Sequence, residues 1–282
     1  MLTNVPRLEV KGLTKRFGGL VAVNDVGFSV RSGEILGLIG PNGSGKSTVI
    51  KLIMGIERPD AGSVRLDGVD VAGLPTHRIA RKGVGIVFQH SRPLHRQTVV
   101  ENIMLALLPD SLIRLAAEPH VEARAREIAE LVGLGDVLDR RPATLPYADL
   151  RRLEMAKVLA RDPAVVLVDE PFAGLTSGEV GVFSELIDGC RRDGRAVLLV
   201  DHNVKSVARL VDRVLAMYLG ERIAEGSADE VMQDETVRRV YIGGAIETPP
   251  ARETASEAGE PLLDVRWIDV LYGKAQALQN VA

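Results

Sequence analysis

Residues 40–47 read GPNGSGKS, a run whose glycines leave main-chain N–H groups free to converge on an anion, with a lysine close behind. The apolar stretch Ile35 to Ile39 precedes it and a helical pattern running toward Met54 follows, which is the setting a phosphate-binding loop requires. Gly40, Pro41, Asn42, Gly43, Ser44 and Gly45 are expected to wrap phosphate oxygens, with the following helix N-terminus adding its partial positive charge. Lys46 reaches the outer phosphates, Ser47 offers a hydroxyl to Mg, and Thr48 completes the nucleotide-binding stretch. The loop alone identifies a nucleotide binder, not a reaction. A second group supplies the reaction chemistry: in VVLVDEP, residues 165–171, an apolar strand delivers Asp169 and Glu170 at its C-terminal end. Asp169 suits Mg coordination, directly or through water, and Glu170 is placed to orient or deprotonate an attacking water. The competing reading, an acidic pair capping the next helix, loses force once the phosphate loop is present.

The elements that must position these groups follow from the hydrophobic pattern. Short apolar runs alternate with helical segments: Ile35 to Ile39 before a helix from Gly45, Val165 to Val168 before Gly178 to Cys190, and Ala196 to Val200 before Asn203 to Leu210. That alternation predicts parallel strands with helical crossovers, and the lack of polar residues within the strands predicts burial on both faces. From about Ser91 to Arg161 the pattern is helical only, with charged faces in Val121 to Leu131 and Leu150 to Ala160, which predicts a helical insertion.

Further residues resemble those of ABC-type ATPases. Gln89 follows the run Gly85 to Phe88 as that family's glutamine loop does, and His202 follows Leu198 to Asp201 as its switch histidine does. The resemblance gives Gln89 a role in sensing Mg and water, and His202 a contact with the γ-phosphate. Phe17, in RFGGLVAV, resembles the family's adenine-stacking aromatic; a core role is its alternative. The segment Leu145, Pro146, Tyr147, Ala148, Asp149 occupies the place of the family's signature, which contacts nucleotide bound by the opposite subunit. It departs from the general Leu-Ser-Gly-Gly-Gln pattern, and Pro146 removes both a hydroxyl and an N–H. Thr176 likewise replaces the acidic or asparagine residue usual at the cross-subunit loop.

The resemblance covers residues 7–243, and the stretches RFGGLVAVNDV, FQHSRPLHRQTVVEN, LPYADLRRLEMA and VRRVYIGG are similar to the importer ATPases for branched-chain and other hydrophobic amino acids. It implies an α/β P-loop cassette with a mainly parallel sheet core, an antiparallel β subdomain and an inserted helical subdomain at about 91–161. It also implies an Mg-dependent, transport-coupled ATPase on the cytoplasmic side of a membrane. Its partners would be transmembrane permease subunits, a second ATPase domain and, indirectly, a periplasmic or extracellular solute-binding protein. Two rivals are a soluble tandem cassette acting on ribosomes and a regulatory cassette that no longer hydrolyses ATP.

Composition agrees with one large domain plus an appendage: 282 residues, 46% hydrophobic, with a net charge of −3 that offers nothing to a nucleic-acid backbone. The lone Cys190 can form no internal disulfide, no apolar run approaches the ~20 residues of a membrane span, and His77, His90, His95 and His120 stand in no chemical context. The cassette is read over 1–244. Residues 245–260, rich in Pro, Glu and Ala, are read as a flexible linker. From Pro261 the segment LLDVRWIDVLYGKAQALQNVA resembles RLEVKGLTKRFGGLVAVNDVG, with Leu263 on Leu8, Tyr272 on Phe17, Gly273 on Gly18, Ala277 on Ala22 and Val281 on Val26. Residues 261–282 are therefore expected to begin a second, incomplete cassette, unless the match is a chance one.

Overall fold

The computed structural model describes residues 5–89, 91–108, 120–202, 207–242, 268–272 and 275–281. The chain divides into two units, Met1–Gly243 and Gly244–Ala282. In the first, β1 (Leu8–Phe17) and β2 (Leu20–Val30) form a hairpin, and β3 (Ile35–Ile39) leads through the glycine-rich loop into α1 (Lys46–Ile53). Then come β4 (Ala61–Leu66), β5 (Val69–Asp70), α2 (Thr76–Arg81) and β6 (Val84–Val87). The described part of the stretch after β6 is helical: α3 (Val99–Leu107), α4 (Val121–Leu131), two single 3-10 turns and α5 (Tyr147–Ala160). The unit continues with β7 (Val165–Asp169), α6 (Ser177–Arg192), β8 (Ala196–Asp201), β9 (Arg213–Tyr218), β10 (Glu221–Gly226), α7 (Ala228–Gln233) and α8 (Glu235–Ile242).

Two sheets result, as the α/β class requires. An antiparallel sheet has the order β2-β1-β4-β5, and a six-stranded sheet has the order β10-β9-β3-β8-β7-β6, parallel throughout except for the β9–β10 hairpin. The central strands are apolar without interruption, yet the period of two survives in what they touch. Val197 and Leu199 of β8 join one core with Val166 and Val168 of β7 and with the helices. Their neighbours Leu198 and Val200 join a second core with Leu167, with α1 and with the antiparallel sheet. Burial on both faces explains why no polar residue alternates along these strands. Each fully buried Leu, Ile or Val contributes about 1.5–3 kcal/mol relative to exposure, so these positions secure the sheet whose C-terminal edge bears the candidate residues.

The helical stretch packs through Ile103 of α3, Ala125, Ile128 and Ala129 of α4, and Leu153 and Ala156 of α5. The entry to α3 is set by a capping box in which the Glu101 carboxylate accepts from the Thr98 N–H at 2.7 Å and the Thr98 hydroxyl accepts from the Glu101 N–H at 3.3 Å. Helix α5 begins at Tyr147, earlier than the expected Leu150. Pro146 supplies the extended entry geometry, and a helix tolerates proline at that place because no intrahelical N–H is needed there. Among the described residues, no helix is long and apolar enough to cross a membrane.

In the second unit, β11 (Ile268–Tyr272) and β12 (Ala275–Val281) form an antiparallel hairpin. Its pairs are Ile268 with Val281, Val270 with Leu278, Leu271 with Gln276 and Tyr272 with Ala275. The first unit pairs Leu13 with Val26, Lys15 with Val23, Arg16 with Val21 and Phe17 with Leu20, the same succession with the register shifting at the same steps. The linker reading of 245–260, the helical reading of 203–206, His90, Leu263 and Gly273 fall outside the described residues.

Candidate nucleotide site

Strands β3, β6, β7 and β8 all run in one direction, so their C-terminal ends share one edge of the sheet. The register pairs Ile39 with Asp201, Asp169 with Val200 and Val87 with Val168. The glycine-rich loop, Gln89, the Asp169–Glu170 pair and His202, spread over more than 160 residues of chain, are thereby brought together.

The loop owes its shape to its glycines. Gly45 caps α1 at φ 103°, and a Cβ there would lie 2.4 Å from the Ala22 carbonyl oxygen, so any side chain would displace main chain. The first turn of α1 contains no acidic residue, which leaves its positive end unopposed. Lys46, almost wholly buried, donates to the Gly40 carbonyl at 2.7 Å and the Pro41 carbonyl at 2.9 Å, folding back over the loop it serves. Burial lowers its pKa, while Glu170, Asp169 and Asp201 pull the other way. The Ser44 hydroxyl is buried with no partner among the described residues, whereas Ser47 faces solvent.

At the end of β7, burial pushes the Asp169 carboxyl up to about 6, reinforced by the neighbouring Glu170 and opposed by Lys46 and Arg151. Glu170 has the left-handed φ of 43°, uncommon for a residue with a Cβ, and its N–H donates to the Val200 carbonyl at 2.8 Å. The Glu170 carboxylate accepts from the Gln89 amide nitrogen at 2.6 Å and faces His202 Nδ1 at 3.3 Å. His202 is half-exposed and lies 3.7 Å from Asp201. A carboxylate steered by an amide on one side and an imidazole on the other can accept a proton from a water held beside it.

A cavity of about 430 Å³ opens along this edge. Phe17, Leu20, Val21 and Ala22 line one part of it; Asn42, Gly43, Gly45, Lys46, Ser47 and Thr48 line another, with Glu170 and Leu219 completing the wall. Apolar side chains together with the glycine-rich loop in one lining suit a base and a polyphosphate. Phe17 is 43% exposed, and the Lys15 ammonium lies 5.2 Å from its ring centroid. Reading RFGGLVAV for its aromatic alone missed Leu20, Val21 and Ala22. Leu219 had no signal at all, because it enters from the turn between β9 and β10.

An Mg ion fits the oxygen donors here: the Ser47 hydroxyl, the Asp169 carboxylate and the amide oxygen of Gln89, whose nitrogen is already donated to Glu170. Burial first, and the neighbouring Glu170 second, disfavour the charged form of Asp169, and a cation beside these carboxylates would favour it.

The signature residues line no part of this cavity. Leu145 and Ala148 are buried, Pro146 is exposed at the start of α5, and Asp149 pairs with Arg152 at 3.2 Å. The exposed ring of Tyr147 packs against Gly174, and its hydroxyl donates to the Gln89 carbonyl at 3.4 Å. Thr176 caps α6, with its N–H and hydroxyl both donating to the Glu179 carboxylate at 2.7 Å.

A phosphate loop beside strand-end carboxylates defines a P-loop nucleoside triphosphatase. The family model of the ABC transporter matches residues 23–173, and that of the branched-chain amino acid ATP-binding cassette transporter matches residues 221–247. The chain belongs to the ABC transporter ATP-binding cassette family, and so is a transport-coupled, ATP-hydrolysing enzyme. It is 37% identical over 252 residues to the high-affinity branched-chain amino acid transport ATP-binding protein BraF of Pseudomonas aeruginosa, spanning 85% of this chain and 99% of that protein. It is 38% identical over 237 residues to the lipopolysaccharide export system ATP-binding protein LptB of Escherichia coli K12, spanning 84% and 97%. Among solved structures, the ADP conformation of MJ1267, an ATP-binding cassette of an ABC transporter, superposes with a TM-score of 0.77 at 28% identity, covering 85% of this chain and all of that one.

Proposed function

We propose that this chain is the motor subunit of an importer for branched-chain or related amino acids. The observation that carries the catalytic part is the Glu170 carboxylate held between Gln89 and His202 on the wall of the phosphate-loop cavity. In this reading Phe17 stacks on adenine and residues Gly40 to Thr48 bind the phosphates. Lys46 leaves the Gly40 and Pro41 carbonyls for the phosphate oxygens. Ser47, Asp169 and Gln89 hold Mg, which supplies charge neutralisation for phosphoryl transfer. Glu170 takes a proton from the attacking water, Gln89 orients that water, and His202 contacts the γ-phosphate.

Leu145 to Asp149 then serve nucleotide bound by a second cassette, which agrees with their absence from the cavity of their own chain. The shared pairing succession of the two hairpins supports the further reading that residues 261–282 begin another copy of the domain, after a linker at 245–260. The subunit would sit on the cytoplasmic face of a membrane against permease subunits, served indirectly by a solute-binding protein, with no nucleic acid involved. The match over residues 221–247 favours amino-acid import; the comparable identity to LptB supports lipid export as the second reading.

The test is ATP turnover and labelled leucine accumulation in vesicles containing this chain and its co-purifying membrane partners, beside a Glu170→Gln variant. Wild type should hydrolyse ATP only with Mg and accumulate leucine, and the variant should bind ATP while losing roughly 10²–10⁴-fold in turnover. Equal turnover in the two proteins would remove Glu170 from the reaction. Hydrolysis without uptake of leucine, isoleucine or valine would remove the amino-acid reading.

A further inference from the structure

Arg151 is fully buried, the largest side chain among the described residues with so little exposure. A guanidinium carries its charge in every accessible state, so burying it demands partners. Its partners here are main-chain carbonyls. Nη1 donates to Phe88 and, at 2.9 Å, to Gln89, while Nη2 donates to the Glu170 carbonyl at 3.1 Å. Its guanidinium also lies 5.8 Å from the Phe183 ring centroid. Among the described residues it forms no ion pair with a carboxylate. A purely structural position of this kind is often served as well by an apolar side chain of similar volume. What an apolar side chain cannot do is hold the main chain of two separate segments in one planar fork.

Those two segments are the ones bearing the Gln89 amide and the Glu170 carboxylate, which meet at 2.6 Å. The fork comes from the second turn of α5, whose first residue is Tyr147 of the signature segment. Tyr147 lies four residues earlier on the same helical face and donates to the same Gln89 carbonyl. Glu170 needs such support, because among the described residues its left-handed main chain is otherwise held by its N–H to Val200.

We propose that Arg151 is a positioning residue that links the signature segment to this chain's own Glu170 and Gln89. The inference rests on the roles given above to Glu170 and to the signature. Engagement of the signature by nucleotide on a second cassette moves the start of α5, and the guanidinium carries that displacement to the carboxylate that activates water here. One cassette's nucleotide thereby sets the geometry of the other's base.

The test uses the full chain with its membrane partners and the variants Arg151→Met and Arg151→Lys. ATP affinity is measured by equilibrium binding of a fluorescent ATP analogue, alongside turnover number and melting temperature. Loss of positioning predicts turnover reduced by up to ~10²-fold in Arg151→Met with analogue affinity changed by no more than about twofold. Arg151→Lys should recover part of the turnover, since an ammonium reaches some but not all of the carbonyls. Introduced into a Gln89→Ala background, Arg151→Met should cost less than it does in wild type, because part of its effect passes through Gln89 and only the part carried by the Glu170 carbonyl remains. The proposal is overturned if affinity and melting temperature fall in step with turnover, or if the two substitutions multiply independently. Should Arg151→Met fail to fold, Arg151→Lys decides between the same outcomes. Failure of the underlying reading would show differently, as wild-type turnover in Glu170→Gln.

Discussion

In the proposed reaction, Glu170 illustrates how a single residue type becomes a reagent. Its carboxyl differs from any other glutamate's only in what surrounds it: a left-handed main chain, an amide at 2.6 Å and an imidazole at 3.3 Å. Phe17 is the counterpart in the same cavity lining. The sequence left a core role open for it, but a ring 43% exposed on the cavity wall has a face available for stacking. Phe17→Ala is expected to weaken ATP binding by about 1–3 kcal/mol, and Phe17→Trp to preserve it. Equilibrium binding of a fluorescent ATP analogue checks this, and unchanged affinity in Phe17→Ala would remove the aromatic from the site.

Among the elements, α6 shows how a departure from family pattern can be locally satisfied. Thr176 stands where an acidic or asparagine side chain is usual, and the structure gives it a cap: the Glu179 carboxylate takes both its N–H and its hydroxyl proton. Those two hydrogen bonds hold the Glu179 carboxyl below its ordinary value of 4.5. A depressed carboxyl contributes stability that is fully present above the ordinary value and is lost as pH falls through the lowered one. Glu179→Gln, which imitates the protonated form, should therefore melt below wild type at pH 7, with the gap closing below pH 4.5. Thermal melts across that range check the expectation, and a gap independent of pH would assign the effect to packing instead.

At the scale of the first unit, two cores on opposite faces of one sheet hold in place the edge that carries the candidate site. Cys190 lies in the core that includes α6, with burial pushing its thiol up to about 11. Since the thiolate is the reactive form, the native protein should be nearly inert to a disulfide reagent at pH 8, and labelling should follow the opening of α6 from the sheet. Rapid stoichiometric labelling of folded protein would show that this face opens far more readily than its packing implies.

The sequence by itself determined the phosphate loop, the acidic strand end and the α/β class. These are local signals, carried by glycine spacing and by unbroken apolar runs whose meaning does not depend on distant residues. Gln89 and His202 were legible only through family resemblance, because a lone glutamine or histidine after a strand has no local signature. The tertiary structure alone decided which residues share the cavity wall: Leu219 and Leu20 both line it although about 200 residues separate them, because the turn after β9 lies against β2, where the Asn24 N–H donates to the Gly220 carbonyl at 2.8 Å. It also decided the place of Arg151. In LPYADLRRLEMA two arginines stand side by side, and the sequence cannot tell which is buried. The 100° step of the helix turns Arg151 inward to the Gln89 and Glu170 carbonyls, and leaves Arg152 beside Asp149 nearer the surface.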